Sequence, residues 1–208
     1  MDNVLEQLPA ARKQAHERII GERQVENADK ILSLYEPDIH VIHRGKAGAR
    51  LEVGNKFYLA EQQDGLLVDW QLYEHSVPDD RTLVKESIER MELSIGKPGG
   101  FITDRGFTSK PNIAWLKQEK MQDGLCRKNP DELHERMKDS WYAAAQKRRS
   151  ATEGRIGIFK NVFLGGVMRE KGFENRNRAL TWIVLTHNLW VLARMSLADE
   201  AERERAAA

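Results

Sequence analysis

Apolar positions in the first stretch of the chain recur at helical spacing: Leu5, Leu8, Ala11, Ala15 and Ile19, then Val25, Ile31, Leu32 and Leu34, all among many charges. The pattern predicts one or two amphipathic helices over 3–33. Glu36-Pro37-Asp38 ends them, because proline steers the residue before it away from helical backbone. The next stretch, HRGKAGARLEVGNK, carries Gly45, Gly48 and Gly54 with four basic residues and reads as a flexible, basic lead-in. The clearest strand signal follows. Lys56 to Glu61 and Leu66 to Tyr73 alternate apolar and polar residues around Gln63-Asp64-Gly65, which predicts an antiparallel hairpin within 53–74 closed by an Asp-Gly turn.

Pro78-Asp79-Asp80 opens a helix running through Met91, with Leu83, Val84, Ile88 and Met91 on one face and acids in its first turn, where the helix dipole favours them. Gly99-Gly100 closes the connection, and Phe101-Ile102-Thr103 is a short strand ending at Asp104. Beyond it the spacing predicts a helix near Asn112 to Gln118, a short strand near Gly124 to Cys126, and helices over 131–147 and 149–163, the second ended by Gly165-Gly166. A last helix, about Asn177 to Met195, is apolar nearly all round, as a helix buried in a core would be. Trp115, Trp182 and Trp190 are core candidates by the same spacing. This order of elements predicts a mixed α/β fold.

At 208 residues the chain fits one domain, or one with an appendage, on a prior of roughly 150 residues per domain. Its most apolar stretch, Leu180 to Met195, contains His187 and Asn188 and falls short of the roughly 20 apolar residues needed to cross a bilayer. No membrane partner and no secretion signal are expected. The single Cys126 offers neither an intramolecular disulfide nor a cysteine cluster for zinc, which suits a reducing cytoplasm.

Net charge is +1, but it is unevenly spread. Residues 1–104 hold 13 Lys+Arg against 19 Asp+Glu, whereas 105–208 hold 20 against 13. Within 147–178 there are nine basic residues and three acidic ones. A local excess of this kind suits a polyanion, since each neutralised phosphate releases counterion; a solvated helical face would carry the same pattern.

Two places can carry chemistry. Asp104 stands where an apolar strand gives way to a glycine-containing turn, a position typical of α/β active sites and also of simple turn formers. Arg149, Glu153 and Lys160 fall within an arc of about 60° on a helix that advances roughly 100° per residue. One carboxylate then lies between two cations, which is either a surface ion pair or a metal-binding acid flanked by phosphate-binding groups. A strand-end acid and a helix acid together can hold magnesium, which prefers oxygen ligands and is completed by water and substrate phosphates. The histidines show no close ligand spacing beyond His40 and His43.

These residues resemble a known family. TDRGF, Thr103 to Phe107, is similar to the D-x-G-[YF] segment around the second acid of DDE transposases, and RRSATEGRIGIFK, Arg148 to Lys160, is similar to their third-acid segment, R-x3-E-x6-K. EPDIHVIHRGKAGARLEVGNK and HNLWVLAR extend the resemblance over about residues 30–196. It implies a ribonuclease H-like mixed sheet flanked by helices, incomplete on its N-terminal side: a helical segment at 1–35, the partial catalytic domain at 36–197, and a disordered tail at 198–208. It also implies an insertion-sequence enzyme of the cytoplasm and nucleoid that uses Mg2+ or Mn2+ to hydrolyse and transfer phosphodiester strands. Its partners would be double-stranded DNA at element ends and target, and either a second copy or a full-length transposase.

In that reading Asp104 and Glu153 are catalytic metal ligands, Arg149 and Lys160 hold phosphates, and Lys46, Arg148 and Arg155 are further DNA contacts. The sequence departs from the family at two points. Gln146 stands where a tyrosine is usual three positions before the arginine, and the first acid, usually in an Asp-Thr or Asp-Ser context, has no match. Asp38, Asp69, Asp79 and Asp80 are expected to be structural instead. A truncated, catalytically impaired copy is therefore expected. The alternatives are a non-catalytic DNA-binding regulator, a ribonuclease, and a helical α/β interaction domain.

Overall fold

A computed structural model describes residues 2–26, 29–43 and 51–207. Lys46 lies outside the described residues. The chain divides into two compact units: Met1–Tyr58 with Gln71–Pro78 and Arg169–Ala179, and Leu59–Trp70 with Asp79–Met168 and Leu180–Ala208.

In the first unit, helix α1 (Asp2–Ile19) forms as the spacing predicts. Among the described residues, the second half of the expected helical region forms no α-helix. Gly21 follows α1, Glu22 adopts a positive φ of 51°, and the Gln14 side chain pairs with the backbone of Ile31, accepting from its N–H at 2.7 Å and donating to its carbonyl at 3.2 Å. Ile31 thus spends its backbone bonds on α1 rather than on a helix of its own. Residues 44–50 of the expected flexible lead-in lie outside the described residues; on either side of them the expectation is corrected. Strands β1 (His40–His43) and β2 (Leu51–Gly54) pair antiparallel, with Val41 opposite Val53.

Strands β3 (Phe57–Glu61) and β4 (Leu67–Leu72) form the predicted hairpin. Its turn closes through Gly65, whose φ of 101° favours glycine and whose N–H donates to the Gln62 carbonyl at 3.0 Å.

The second unit is built on a strand–helix–strand motif. Helix α2 (Asp80–Ser94) is capped by Asp79, which accepts from the Arg81 N–H at 2.9 Å, and it buries the predicted face of Leu83, Val84, Ile88 and Met91. Strand β5 (Gly100–Thr103), helix α3 (Lys110–Gln118, capped by Ser109) and strand β6 (Gln122–Leu125) follow, with the two strands parallel and Ile102 opposite Gly124. A parallel pair needs such a crossover. Val84, Ile88, Met91, Phe101, Leu116, Met121 and Leu125 form the core between them. The described strands thus make three two-stranded sheets in a mixed α/β chain.

The two helices expected over 131–147 and 149–163 break elsewhere. Helix α4 (Pro130–Arg136) is short, and α5 runs over Ser140–Ile158 because Asp139 caps it, accepting from the Tyr142 N–H at 3.1 Å. A π-helical turn, Phe159–Phe163, follows, and Gly165 and Gly166, at φ of 68° and 94°, close the segment.

Helix α6 (Phe173–Ala207) is longer than predicted and continues through the stretch expected to be a disordered tail. It is not buried all round. Leu180, Val184, His187 and Val191 form its buried face, whereas Trp182 and Leu189 are 62% and 58% exposed and Trp190 is also exposed. Apolar periodicity alone cannot tell a covered face from an uncovered one.

Candidate active site at a strand end

β5 delivers its last buried residue, Thr103, directly into Asp104. Asp104 caps the 3-10 turn Arg105–Phe107 by accepting from the Arg105 N–H at 2.5 Å, so its carboxylate is held at the strand end while remaining largely exposed. The turn-former and active-site readings of this residue share one geometry.

Helix α5 is anchored to the neighbouring strand. The Tyr142 hydroxyl donates to the Leu125 carbonyl at 3.0 Å and accepts from the Arg127 N–H at 3.2 Å, and Gln146 Nε2 donates to the Gly124 carbonyl at 3.0 Å. Burial, chiefly, pushes the Tyr142 phenol above its ordinary range, so it stays a neutral donor. Because β6 lies beside β5, these bonds bring the next turn of α5 to the end of β5.

Arg149 occupies that turn. Its Nη1 lies 3.7 Å from Asp104 Oδ1 and also bonds Glu153 Oε1, while its Nε donates to Gln146 Oε1 at 3.3 Å. Two acids 49 positions apart in sequence thus meet the same guanidinium nitrogen, no more than two contact lengths from each other. Lys160 stands on the π-helical turn beyond α5, half-buried, rather than on a continued α-helix. The widened turn alters the arc computed for a regular helix.

Arg148 and Arg155, expected as DNA contacts, are engaged within the fold. Arg148 Nη2 lies 2.7 Å from Glu61 Oε1 and donates to the carbonyls of Gln62 and Gln63 at 3.1 and 2.6 Å; Arg155 bonds the same Glu61 oxygen. The Glu61 side chain is only 5% exposed. Sequence reasoning missed both Glu61 and the anchoring role of Gln146. Alternation in the hairpin places Glu61 on a face, but nothing local says that two arginines will converge on it.

The other acids weighed at the sequence level have structural partners. Asp69 is held by Arg90 through two bonds of 2.8 Å, Asp38 by Arg176, and Asp79 by Arg81 and the α2 N-terminus. His40 Nε2 contacts the Glu74 carbonyl at 2.5 Å. Among the described residues no three His, Cys, Asp or Glu side chains cluster as a metal-holding group, and no helix is long and apolar enough to cross a membrane. Asp104 and Glu153 supply carboxylate oxygens from two rigid elements. That donor set fits a hard divalent cation that keeps several waters.

No curated protein and no solved structure matches the chain. The family model described as the transposase DDE domain matches residues 59–189, well over half of the sequence, and this span contains Asp104, Arg149, Glu153 and Lys160. The chain therefore belongs to the transposase DDE domain family.

Proposed function

We propose that this chain acts on double-stranded DNA in transposition through a ribonuclease H-like site in which Asp104 and Glu153 are two of the acids. The observation that carries the reading is the convergence of both carboxylates on Arg149. When Mg2+ or Mn2+ is bound there, it supplies an activated attacking oxygen and stabilises the leaving oxygen of the phosphodiester.

The chain's own residues have separable tasks. Asp104 holds its carboxylate at the strand end through the Arg105 N–H, and Glu153 presents a second from α5. Arg149, steadied by Gln146, presents a guanidinium to a phosphate beside them. Lys160 adds a point charge one π-turn beyond. The reading includes pairing with a second copy or with a full-length transposase, and location with the DNA of the cytoplasm.

The test is calorimetry with Mn2+. Wild type binds, and Asp104→Asn and Glu153→Gln each lower the affinity about tenfold or more, as loss of a ligand should. Equal affinity in all three proteins refutes the assignment.

The first acid of the family triad has no match here, and Asp38, Asp69 and Asp79 are already partnered. That favours a second reading, in which the chain alone is catalytically impaired and works as a DNA-binding regulator. Metal-dependent nicking then stays at background, while salt-sensitive DNA binding survives Glu153→Ala.

A further inference from the structure

The C-terminal half of α5 is a poor helix by composition. Gly154 and Gly157 each cost about 1 kcal/mol relative to alanine, Thr152, Ile156 and Ile158 are β-branched, and the helix then widens into the π-turn Phe159–Phe163. Yet this is the segment that must aim Glu153. Its rotational setting needs an external hold.

Glu61 provides one. Arg148 and Arg155 are seven residues apart, two turns along one face of α5, and both close on the same Glu61 oxygen. Arg149 and Glu153 lie on an adjacent face, roughly 100° to 140° around the helix from Arg148. Fixing the first face therefore fixes the second. Gly65, at the hairpin turn, makes room for this arrangement: a Cβ there would lie 3.2 Å from Arg155 Nη1.

We propose that Glu61 is a positioning residue: its buried carboxylate clamps α5 through Arg148 and Arg155 and so aims Glu153 and Arg149 at Asp104. This rests on the reading of Asp104 and Glu153 as the metal-holding acids only for its functional consequence, not for the clamp itself. Removing the charge while keeping the shape, in Glu61→Gln, loosens both arginine bonds and lets the segment twist. Arg148 and Arg155 are assigned to the clamp rather than to DNA.

The experiment pairs two readouts in the full chain. Spin labels on Lys110→Cys and Ala151→Cys, with Cys126 buried and unlabelled, report the setting of α5 by pulsed dipolar spectroscopy, and Mn2+ calorimetry reports the acids. Glu61→Gln is expected to broaden the label distance distribution well below its melting temperature and to weaken Mn2+ binding about tenfold. A lower melting point with an unchanged distance distribution overturns the proposal, because Glu61 would then be merely structural. If wild type binds no Mn2+ through Asp104 but the distribution still broadens, the clamp stands and the metal reading fails. Should Glu61→Gln not fold, Arg155→Lys, which keeps the charge and loses the fork, serves as the second variant with the same two outcomes.

Discussion

Arg176 meets three partners from α6: its Nε donates to Asn55 Oδ1 at 3.0 Å, and its terminal nitrogens pair with Glu36 and Asp38. Burial works against its charge, but the two carboxylates outweigh it and push its pKa further up. For Glu36, burial pulls the pKa upward, while the Arg176 bond and the Gly172 N–H at 2.9 Å pull harder the other way, leaving it below the ordinary 4.5. A carboxylate depressed in the fold contributes stability that is complete above its unfolded pKa and is lost as pH falls through the folded value. The thermal stability of wild type should therefore fall below about pH 4.5, and Glu36→Gln should show a shallower loss across that window. At neutral pH Arg176→Met, which strands two carboxylates without their cation, should cost about 3 kcal/mol in denaturant unfolding. A loss under about 0.5 kcal/mol, typical of an exposed surface substitution, would show that the network is decorative.

Among the elements, the β5–β6 pair sets the tightest tolerance near the candidate site. A Cβ on Gly124 would stand 2.8 Å from both the Phe101 carbonyl and Ile102 Cγ1, so Gly124→Ala should destabilise the chain by about 1–3 kcal/mol. Gly99→Ala, with nothing within 4 Å, is the matched control and should change little. Urea unfolding of the pair decides, and equal midpoints would refute the close approach. The elements nearest this pair were legible in sequence because their signals are local: Asp79 before α2, glycines before β5, and an Asp-Gly turn between β3 and β4. The α4–α5 break was misplaced by about ten residues because apolar spacing continues through Asp139, and only the cap geometry marks the start. The exposed face of α6 and the irregular stretch after α1 were illegible for a different reason. Both depend on what packs against, or pairs with, a segment that looks helical by itself.

For the whole molecule, the candidate site was legible where family spacing names it, at Asp104, Arg149 and Glu153, and illegible where its support is tertiary, at Glu61 and Gln146. Charge behaves likewise. The run over 147–178 carries nine basic residues, but Arg148, Arg155 and Arg176 are committed to carboxylates within the fold, away from the candidate site. The formal excess therefore overstates the field that reaches a phosphate backbone. Each phosphate neutralised steepens the dependence of log K on log salt by about 0.9, so the commitment of individual cations can be read from slopes. In anisotropy titrations of a labelled duplex from 50 to 200 mM salt, a concentration range over which such slopes are readily resolved, Lys160→Ala should flatten the line by about 0.9. Arg176→Gln removes a charge held inside its carboxylate pair and, with the fold of the variant checked by circular dichroism, should leave the line parallel to wild type. Parallel lines for all three proteins would remove Lys160 from the DNA interface. A flattening with Arg176→Gln equal to that of Lys160→Ala would mean that an arginine bonded to two carboxylates nevertheless reaches the phosphates, and that internal ion pairing does not govern which cations of this chain meet DNA.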